Sequence, residues 1–198
     1  MSQVTCDVTV SLDGFSASPN QSFDNPFGKG GADRLHRWMF EEAEANAEEI
    51  QAITAVNANV MGRNMFGPGR GEWDLDWKGW WGDDPPYHTP VFVLTHHPRE
   101  PLEMQGGTTY NCVTDGIESA LAQARAAAGD GDVAIAGGAE TVRQYLAAGL
   151  IDELRVHIAP MLLGAGERPL DGVGDLKLEQ LRFRSSSLVT HIVYRVSR

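Results

Sequence analysis

The segment from Val133 to Gly149 constrains the fold more than any other part of the chain, because it joins an apolar run to a helical pattern through two glycines. The apolar run, typical of a buried strand, passes into Gly137 and Gly138, and the spacing of a helix continues to Gly149. A helix that begins in this way leaves its first backbone N–H groups without partners, and its dipole makes that end positive. Because glycine has no Cβ, a diphosphate can approach the backbone closely. The segment therefore predicts a phosphate site, although an ordinary strand-to-helix turn would use the same residues.

A second strand ends at a glycine near residue 62. Residues 59–61 are a short strand candidate, Gly62 ends it, and Arg63 stands where a helix would begin. A planar guanidinium beside a helix N-terminus suits a phosphate monoester, the group that distinguishes NADP from NAD. The alternative, a surface arginine paired with one of the many carboxylates, fits the sequence equally well.

Strands alternate with helices along most of the chain and only strands follow at its end. This order predicts an α/β fold in three layers, with a mixed, mostly parallel central sheet of about eight strands, helices on both faces and an antiparallel C-terminal edge. No linker divides the sequence, so we expect one domain over residues 1–198. The predicted strands are 4–12, 59–61, 91–95, 108–113, 133–136, 154–159, 178–183 and 188–196, and the predicted helices are 35–53 with one break, 117–128 and the stretch after Gly138.

The carboxyl ends of parallel strands meet at one edge of a sheet, where ligands of such folds bind. Gly62, Thr95 and Gly137 each follow an apolar strand, so we expect all three to line one crevice. Thr95 and His96 close the strand that begins at Val91, where turn residues would suit contact with an adenine.

Composition and charge exclude several classes of function. The net charge of −11 and the isoelectric point near 4.9 argue against nucleic acid or anionic membranes as partners. No apolar run approaches the roughly 20 residues that cross a bilayer, and no signal-peptide pattern stands at the start. Cys6 and Cys112 are far apart and form no C-x-x-C, which favours reduced thiols and a cytoplasmic location. No cluster of histidines and cysteines has metal-ligand spacing, so we expect no metal site.

Residues 67–89 form a long segment without a steady period and contain Trp73, Trp77, Trp80 and Trp81. A segment of this length inside a compact domain is usually functional or mobile. The tryptophans suit a lid or a pocket wall, or equally a plug that packs into the core from the side.

Asp13 is the candidate for the reacting end of the site, because it ends the first predicted strand, where a carboxylate can meet substrate. An aspartate in the turn formed with Gly14 also hydrogen bonds its own backbone, and this second interpretation is slightly favoured.

In this order, Met61-Gly62-Arg63, Thr95-His96 and the run from Ala136 to Glu140 resemble the dihydrofolate reductase-like superfamily. The likeness is greater to the branch that includes the reductase domain of riboflavin biosynthesis and its stand-alone relatives, whose opening strand and turn resemble residues 11–14. The resemblance implies an NADPH-dependent reductase, commonly a homodimer, that transfers a hydride to a small heterocyclic or carbonyl-containing substrate. It further implies cofactor contacts from Gly62, Arg63, Asn64, Leu94, Thr95, His96, Gly137, Gly138, Ala139, Glu140 and Thr141, with the nicotinamide bordered by the first strand and residues 13–17.

The activity that the resemblance suggests is that of a 5-amino-6-(5-phosphoribosylamino)uracil reductase. A pterin reductase of the dihydrofolate reductase type and a nucleotide-binding module without turnover are the alternatives. Met65 stands where family members often have threonine, which removes one possible hydroxyl for phosphate. No acidic residue matches the pterin-binding carboxylate, and this absence argues against folate as the substrate.

Overall fold

A nine-stranded mixed sheet organises the computed structural model, which describes residues 2–197. The strands run in the order β4-β5-β3-β2-β6-β1-β7-β9-β8; pairs among β5, β3, β2, β6, β1 and β7 are parallel, and β4, β9 and β8 are antiparallel to their neighbours. The mostly parallel sheet with an antiparallel C-terminal edge is thus confirmed, with one strand more than expected. The strands are β1 Val4–Ser11, β2 Ala58–Gly62, β3 Pro90–Leu94, β4 Leu102–Glu103, β5 Thr109–Val113, β6 Val133–Gly137, β7 Glu153–Ala159, β8 Lys177–Ser185 and β9 Thr190–Ser197.

The additional strand is β4, which has only two residues and pairs with β5 at the sheet edge. Two residues are too few to show the period-2 alternation by which a strand is recognised in a sequence. It is therefore the partner strand, and not a local pattern, that makes this segment a strand.

The helix predicted over residues 35–53 is broken, as the sequence suggested. A 3-10 helix spans Ala32–His36 and is followed by α1 Arg37–Glu41 and α2 Ala47–Thr54. The fully buried Asn46 stabilises the break, since its side-chain amide donates to the backbone carbonyls of Glu42 at 2.8 Å and Trp38 at 3.3 Å. The other helices are α3 Arg63–Phe66, α4 Ile117–Ala128 and α5 Ala139–Ala148. No helix within residues 2–197 is long and apolar enough to cross a bilayer.

Helices cover both faces of the sheet. On one face the alternate residues Val4, Cys6 and Val8 of β1 join the apolar core beneath α4 and α5. On the other face lie the 3-10 helix and α1, with the aromatic segment of residues 67–89 over β2, β3 and β5. Burial on both faces explains why β2, β3 and β6 read as nearly continuous apolar runs.

The registers of three neighbouring parallel strands bring the predicted motifs together. Gly62 at the end of β2 is paired with Leu94 at the end of β3, and Met61 is paired with Gly137 at the end of β6. Because β2 lies between β3 and β6, the three chain segments that follow these strands emerge side by side.

Candidate functional site

A cleft of about 810 Å³ opens where these strands end. Its volume lies within the range of roughly 300–1,000 Å³ that is usual for small-molecule sites. The eleven residues that the resemblance assigned to a cofactor all line this one cleft; they are Gly62, Arg63, Asn64, Leu94, Thr95, His96, Gly137, Gly138, Ala139, Glu140 and Thr141. Their contact with a cofactor stays a prediction, but the structure does bring the separate motifs to one surface.

The start of α5 presents backbone N–H groups to the cleft. Gly138 is the N-terminal cap in an extended conformation, and no side chain of the described residues caps the helix through a hydrogen bond. The peptide bond between Gly137 and Gly138 is cis. The carboxylate of Glu140 in the first turn is bound by Arg143 at 2.6 Å and by Gln144 at 3.0 Å, and these hydrogen bonds lower the pKa of Glu140. Its charge is therefore compensated beside a helix end that would attract an anion.

Gly62 is required where it is because β2 and α5 approach very closely. A Cβ placed on Gly62 would lie 2.4 Å from the Oγ1 atom of Thr141, well inside van der Waals contact. The φ of −78° at Gly62 is open to any residue, so space and not backbone conformation demands glycine. The two glycine motifs therefore lie in close contact.

Arg63 is already engaged with the aromatic segment. Its guanidinium donates to the carbonyls of Gly71 at 2.5 Å and Glu72 at 3.2 Å and lies 3.9 Å from the ring centroid of Trp73. The described contacts use two of the five N–H donors of the side chain, so the others are left for an anion in the cleft. Burial lowers the pKa of Arg63, though an arginine stays charged at physiological pH.

The four tryptophans of residues 67–89 divide between the two roles that the sequence left open. Trp73 and Trp77 pack against the core cluster of β2, β3 and β5, and their indole N–H groups donate to backbone carbonyls at 2.8 Å. Trp80 and Trp81 line the cleft, and Trp81 is 55% exposed. One pair anchors the segment while the other forms a wall of the cleft.

Asp13 is held in a turn. Its carboxylate accepts hydrogen bonds from the Ser11 hydroxyl at 2.5 Å and from the backbone N–H groups of Leu163 and Gly164 at 3.1 and 2.7 Å. These donors, Ser11 foremost, lower the pKa of Asp13 from 3.8 to about 2. Asp13 is not among the residues within 2–197 that line the cleft. The contacts favour the turn interpretation, in which Asp13 attaches the segment after β7 to the end of β1.

The cleft also has a polar wall whose individual residues the sequence analysis did not single out, although the resemblance placed the first strand beside the nicotinamide. Asp7 and Thr9 of β1 and His36 of the 3-10 helix all line it. The Nδ1 atom of His36 is buried with no hydrogen-bond partner within residues 2–197, and burial together with nearby His157 lowers the pKa of His36 to about 4. An ionisable residue in the middle of a strand that is covered on both faces was the available signal for Asp7.

Within the described part of the chain, no group of three or more histidine, cysteine, aspartate or glutamate side chains is arranged to hold a metal ion.

Comparisons with known proteins agree with this architecture. The family model described as the RibD C-terminal domain matches residues 2–192. A protein from Shewanella sp. PV-4 assigned to riboflavin biosynthesis is 22% identical with a TM-score of 0.65, and the match covers 99% of each chain. Dihydrofolate reductase from Enterococcus faecalis, solved with NADP(H), is 13% identical with a TM-score of 0.59 and covers 99% of this chain and 97% of its own.

A third solved structure is longer than this chain. The diaminohydroxyphosphoribosylaminopyrimidine deaminase/5-amino-6-(5-phosphoribosylamino)uracil reductase from Thermotoga maritima is 15% identical with a TM-score of 0.60. The match covers 98% of this chain but 56% of that one. At these identities the structures show a shared fold, and no curated protein matches the sequence.

Proposed function

Since the chain belongs to the family of the RibD C-terminal domain, we propose that it is an NADPH-dependent reductase that transfers a hydride to a small heterocyclic or carbonyl-containing substrate. The observation that carries the proposal is that the ends of three neighbouring parallel strands line one cleft with two glycine motifs. A dinucleotide needs a diphosphate site and sites for its two nucleosides within one span, and a crevice at the carboxyl ends of strands suits such a ligand.

The residues present fit the cofactor. The uncapped N-terminus of α5 at Gly138 and Ala139 suits the diphosphate, because unpaired N–H groups and the helix dipole both favour an anion there. Arg63 with its remaining donors suits the 2′-phosphate, and residues 94–96 border the position expected for the adenosine. Bound NADPH would supply the hydride, while the protein orients it and shapes the electrostatic surroundings.

The substrate would lie beside β1. Val8 and Thr9 of β1 together with Ser16 and Ala17 line the part of the cleft that the resemblance assigns to the nicotinamide. The reductase from Thermotoga maritima acts, by its name, on a phosphoribosylaminouracil, and the enzyme from Enterococcus faecalis on dihydrofolate. We therefore propose a flat nitrogen heterocycle of this kind as the first substrate class to test, with simple carbonyl compounds as the second.

Cofactor binding is the first experiment. Trp80 and Trp81 line the cleft, so NADPH should change tryptophan fluorescence, and it should raise the melting temperature because it binds only the folded state. NADH should act more weakly. If neither cofactor changes either signal, the proposal is rejected.

Turnover is the second experiment. NADPH absorbance is followed with 5-amino-6-(5-phosphoribosylamino)uracil, 7,8-dihydrofolate and a panel of small carbonyl compounds. Substrate-dependent loss of absorbance supports a reductase. Tight NADPH binding without oxidation by any acceptor would favour a nucleotide-binding module that does not turn over.

A further inference from the structure

A continuous chain of four polar side chains runs through the protein beneath α1. The Oδ1 atom of Asp7 lies 3.1 Å from the Nε2 atom of His157, whose Nδ1 atom lies 2.7 Å from the Nδ1 atom of His191. The Nε2 atom of His191 in turn lies 3.0 Å from the Oδ1 atom of Asn46. His157, His191 and Asn46 are at most 2% exposed. The Asp7 side chain is 13% exposed, and it lines the cleft. The chain therefore leads from the interior to the proposed active site.

Sheet register explains how residues so distant in sequence meet. His157 on β7 is paired with Thr9 on β1, so Asp7 is its diagonal neighbour on the same face. His191 on β9 lies directly opposite His157 in the antiparallel pair. Side chains on adjacent strands in these positions are within hydrogen-bonding reach.

The contacts of Asn46 define the direction of the hydrogen bond between Asn46 and His191. Its side-chain nitrogen donates to the carbonyls of Trp38 and Glu42, and a carbonyl can only accept. Its oxygen therefore faces His191, and the Nε2 atom of His191 must carry a hydrogen to donate to it.

The other end of the chain is defined by Asp7. The Nη1 atom of Arg155 lies 3.4 Å from the Oδ2 atom of Asp7. This cation favours an ionised Asp7 carboxylate, which accepts a hydrogen bond from the Nε2 atom of His157. In this arrangement His157 and His191 each carry a proton on Nε2. Two neutral imidazoles of this tautomer would direct lone pairs at each other across 2.7 Å, which is repulsive. Three hydrogen bonds need three protons, one more than an ionised aspartate and two neutral histidines contain.

From this count we infer that Asp7, His157 and His191 share one labile proton, and that Asp7 donates it to the substrate in the cleft. Asp7 is the catalytic residue of this inference, and the two histidines are positioning residues that store the proton. The inference rests on the proposed function for its final step only. Reduction of a C=N or C=O bond takes up one hydride and one proton. The hydride goes to carbon from the reduced cofactor, which leaves oxidised, and the Asp7 proton goes to nitrogen or oxygen. The triad is left one proton short and regains it from solvent.

Trp38 and several ionisable groups surround the two histidines. The ring of Trp38 lies 5.1 Å from the ring of His157 and 4.9 Å from the ring of His191, at interplanar angles of 42° and 74°. Burial, the largest effect, and His157 lower the pKa of His191 to about 4, against the opposing effect of Glu49. His36 of the 3-10 helix, Arg155 of β7, Glu49 of α2 and Arg184 of β8 are the other ionisable groups that face the triad.

Nitrogen-15 NMR of the histidine side chains in the intact protein at pH 7 tests the stored proton without any substrate. We expect Asp7, His157 and His191 to hold three protons in total. Either one imidazole carries a proton on both nitrogens and the other imidazole carries one, or each imidazole carries one and Asp7 carries the third. In both cases a far-downfield proton should lie between the two Nδ1 atoms. Two neutral histidines beside an ionised Asp7, with no proton between the rings, would overturn the inference.

The Asp7→Asn variant tests the path to the cleft. An asparagine amide would donate to His157 and hold it neutral, so one histidine nitrogen should change from the protonated to the unprotonated shift. Glu179→Gln on the exposed strand β8 is the matched control and should leave these shifts unchanged.

Single-turnover hydride transfer is then measured with an acceptor from the panel above. Asp7→Asn should slow it roughly 100- to 10,000-fold, the usual loss for a general acid, with NADPH affinity unchanged. Rates equal to those of the native protein would remove Asp7 as the donor. Failure of NADPH to bind the native protein would instead reject the proposed function, and the NMR result would still decide whether the proton is stored.

Discussion

The guanidinium of Arg63 stacks on the indole of Trp73, with its central carbon 3.9 Å from the ring centroid. The same arginine also donates to the backbone of residues 71 and 72. Arg63 thus connects the strand-end motif at Gly62 to the aromatic segment that forms a wall of the cleft. A ligand phosphate at Arg63 would meet a side chain that is already oriented, which reduces the entropy lost on binding.

Replacement of Arg63 by alanine should weaken NADPH binding far more than NADH binding. Charge-assisted hydrogen bonds contribute roughly 1.5–3 kcal/mol, so we expect a loss of about 10- to 150-fold for NADPH. Dissociation constants from fluorescence titration measure the effect. Arg195→Ala on β9 is the control, because Arg195 pairs with Glu179 on β8 and does not line the cleft. Equal losses of affinity for both cofactors would show that Arg63 does not bind the 2′-phosphate.

Replacement of Gly62 by alanine should destabilise the protein and weaken NADPH binding together. The new methyl group would overlap the Thr141 hydroxyl, and overpacking of this kind costs roughly 1–3 kcal/mol. Urea unfolding and cofactor titration measure the two effects. Gly69→Ala is the matched control, because among residues 2–197 no atom beyond its two chain neighbours lies within 4 Å of a Cβ there.

A second substitution makes this test specific. Thr141→Ala removes the hydroxyl that the methyl group would overlap, so the double variant should recover stability relative to Gly62→Ala alone. If the double variant loses as much stability as the two single variants together, the close approach of β2 and α5 is not what demands glycine.

Asp13 should contribute to acid stability rather than to turnover. Its pKa falls from 3.8 to about 2 on folding, so its contribution is complete above pH 3.8 and is lost as the pH falls towards 2. Asp13→Asn should lower the melting temperature at neutral pH and remove this part of the acid dependence. Cofactor affinity should be unchanged. A variant that folds with native stability but no longer reduces substrate would restore Asp13 as a catalytic candidate.

His36 should make the protein less stable as the pH falls below neutrality. The unfolded chain binds a proton at His36 below about pH 6.5, whereas the folded chain does so only near pH 4. The free energy of unfolding should therefore be highest above pH 6.5 and fall by about 3 kcal/mol across this window from His36 alone.

Urea unfolding at several pH values measures this loss in the native protein and in His36→Gln. The variant should show a shallower fall between pH 6.5 and pH 4. The exposed His88, changed to asparagine, serves as the control because its φ of 50° suits that residue. If His36→Gln and the native protein lose stability equally, His36 is not the group responsible.

Local sequence patterns were sufficient for the elements that build the cleft. Apolar runs that end at Gly62 and Gly137, and the run over residues 91–95, indicated buried parallel strands, and parallel strands align their carboxyl ends. The resemblance carried by these motifs led to the family, which the match over residues 2–192 confirmed. Boundaries of the C-terminal hairpin moved by one to two residues, because alternation indicates a strand more reliably than its ends.

The sequence by itself determined the alternating elements and the glycine motifs, because hydrophobic period and the absence of a Cβ act over a few neighbouring residues. Only the tertiary structure decided that Asp7 meets His157, that His157 meets His191 and that Trp73 stacks on Arg63. These contacts join residues 150, 34 and 10 positions apart and depend on strand register and on loop packing, which short-range patterns do not specify.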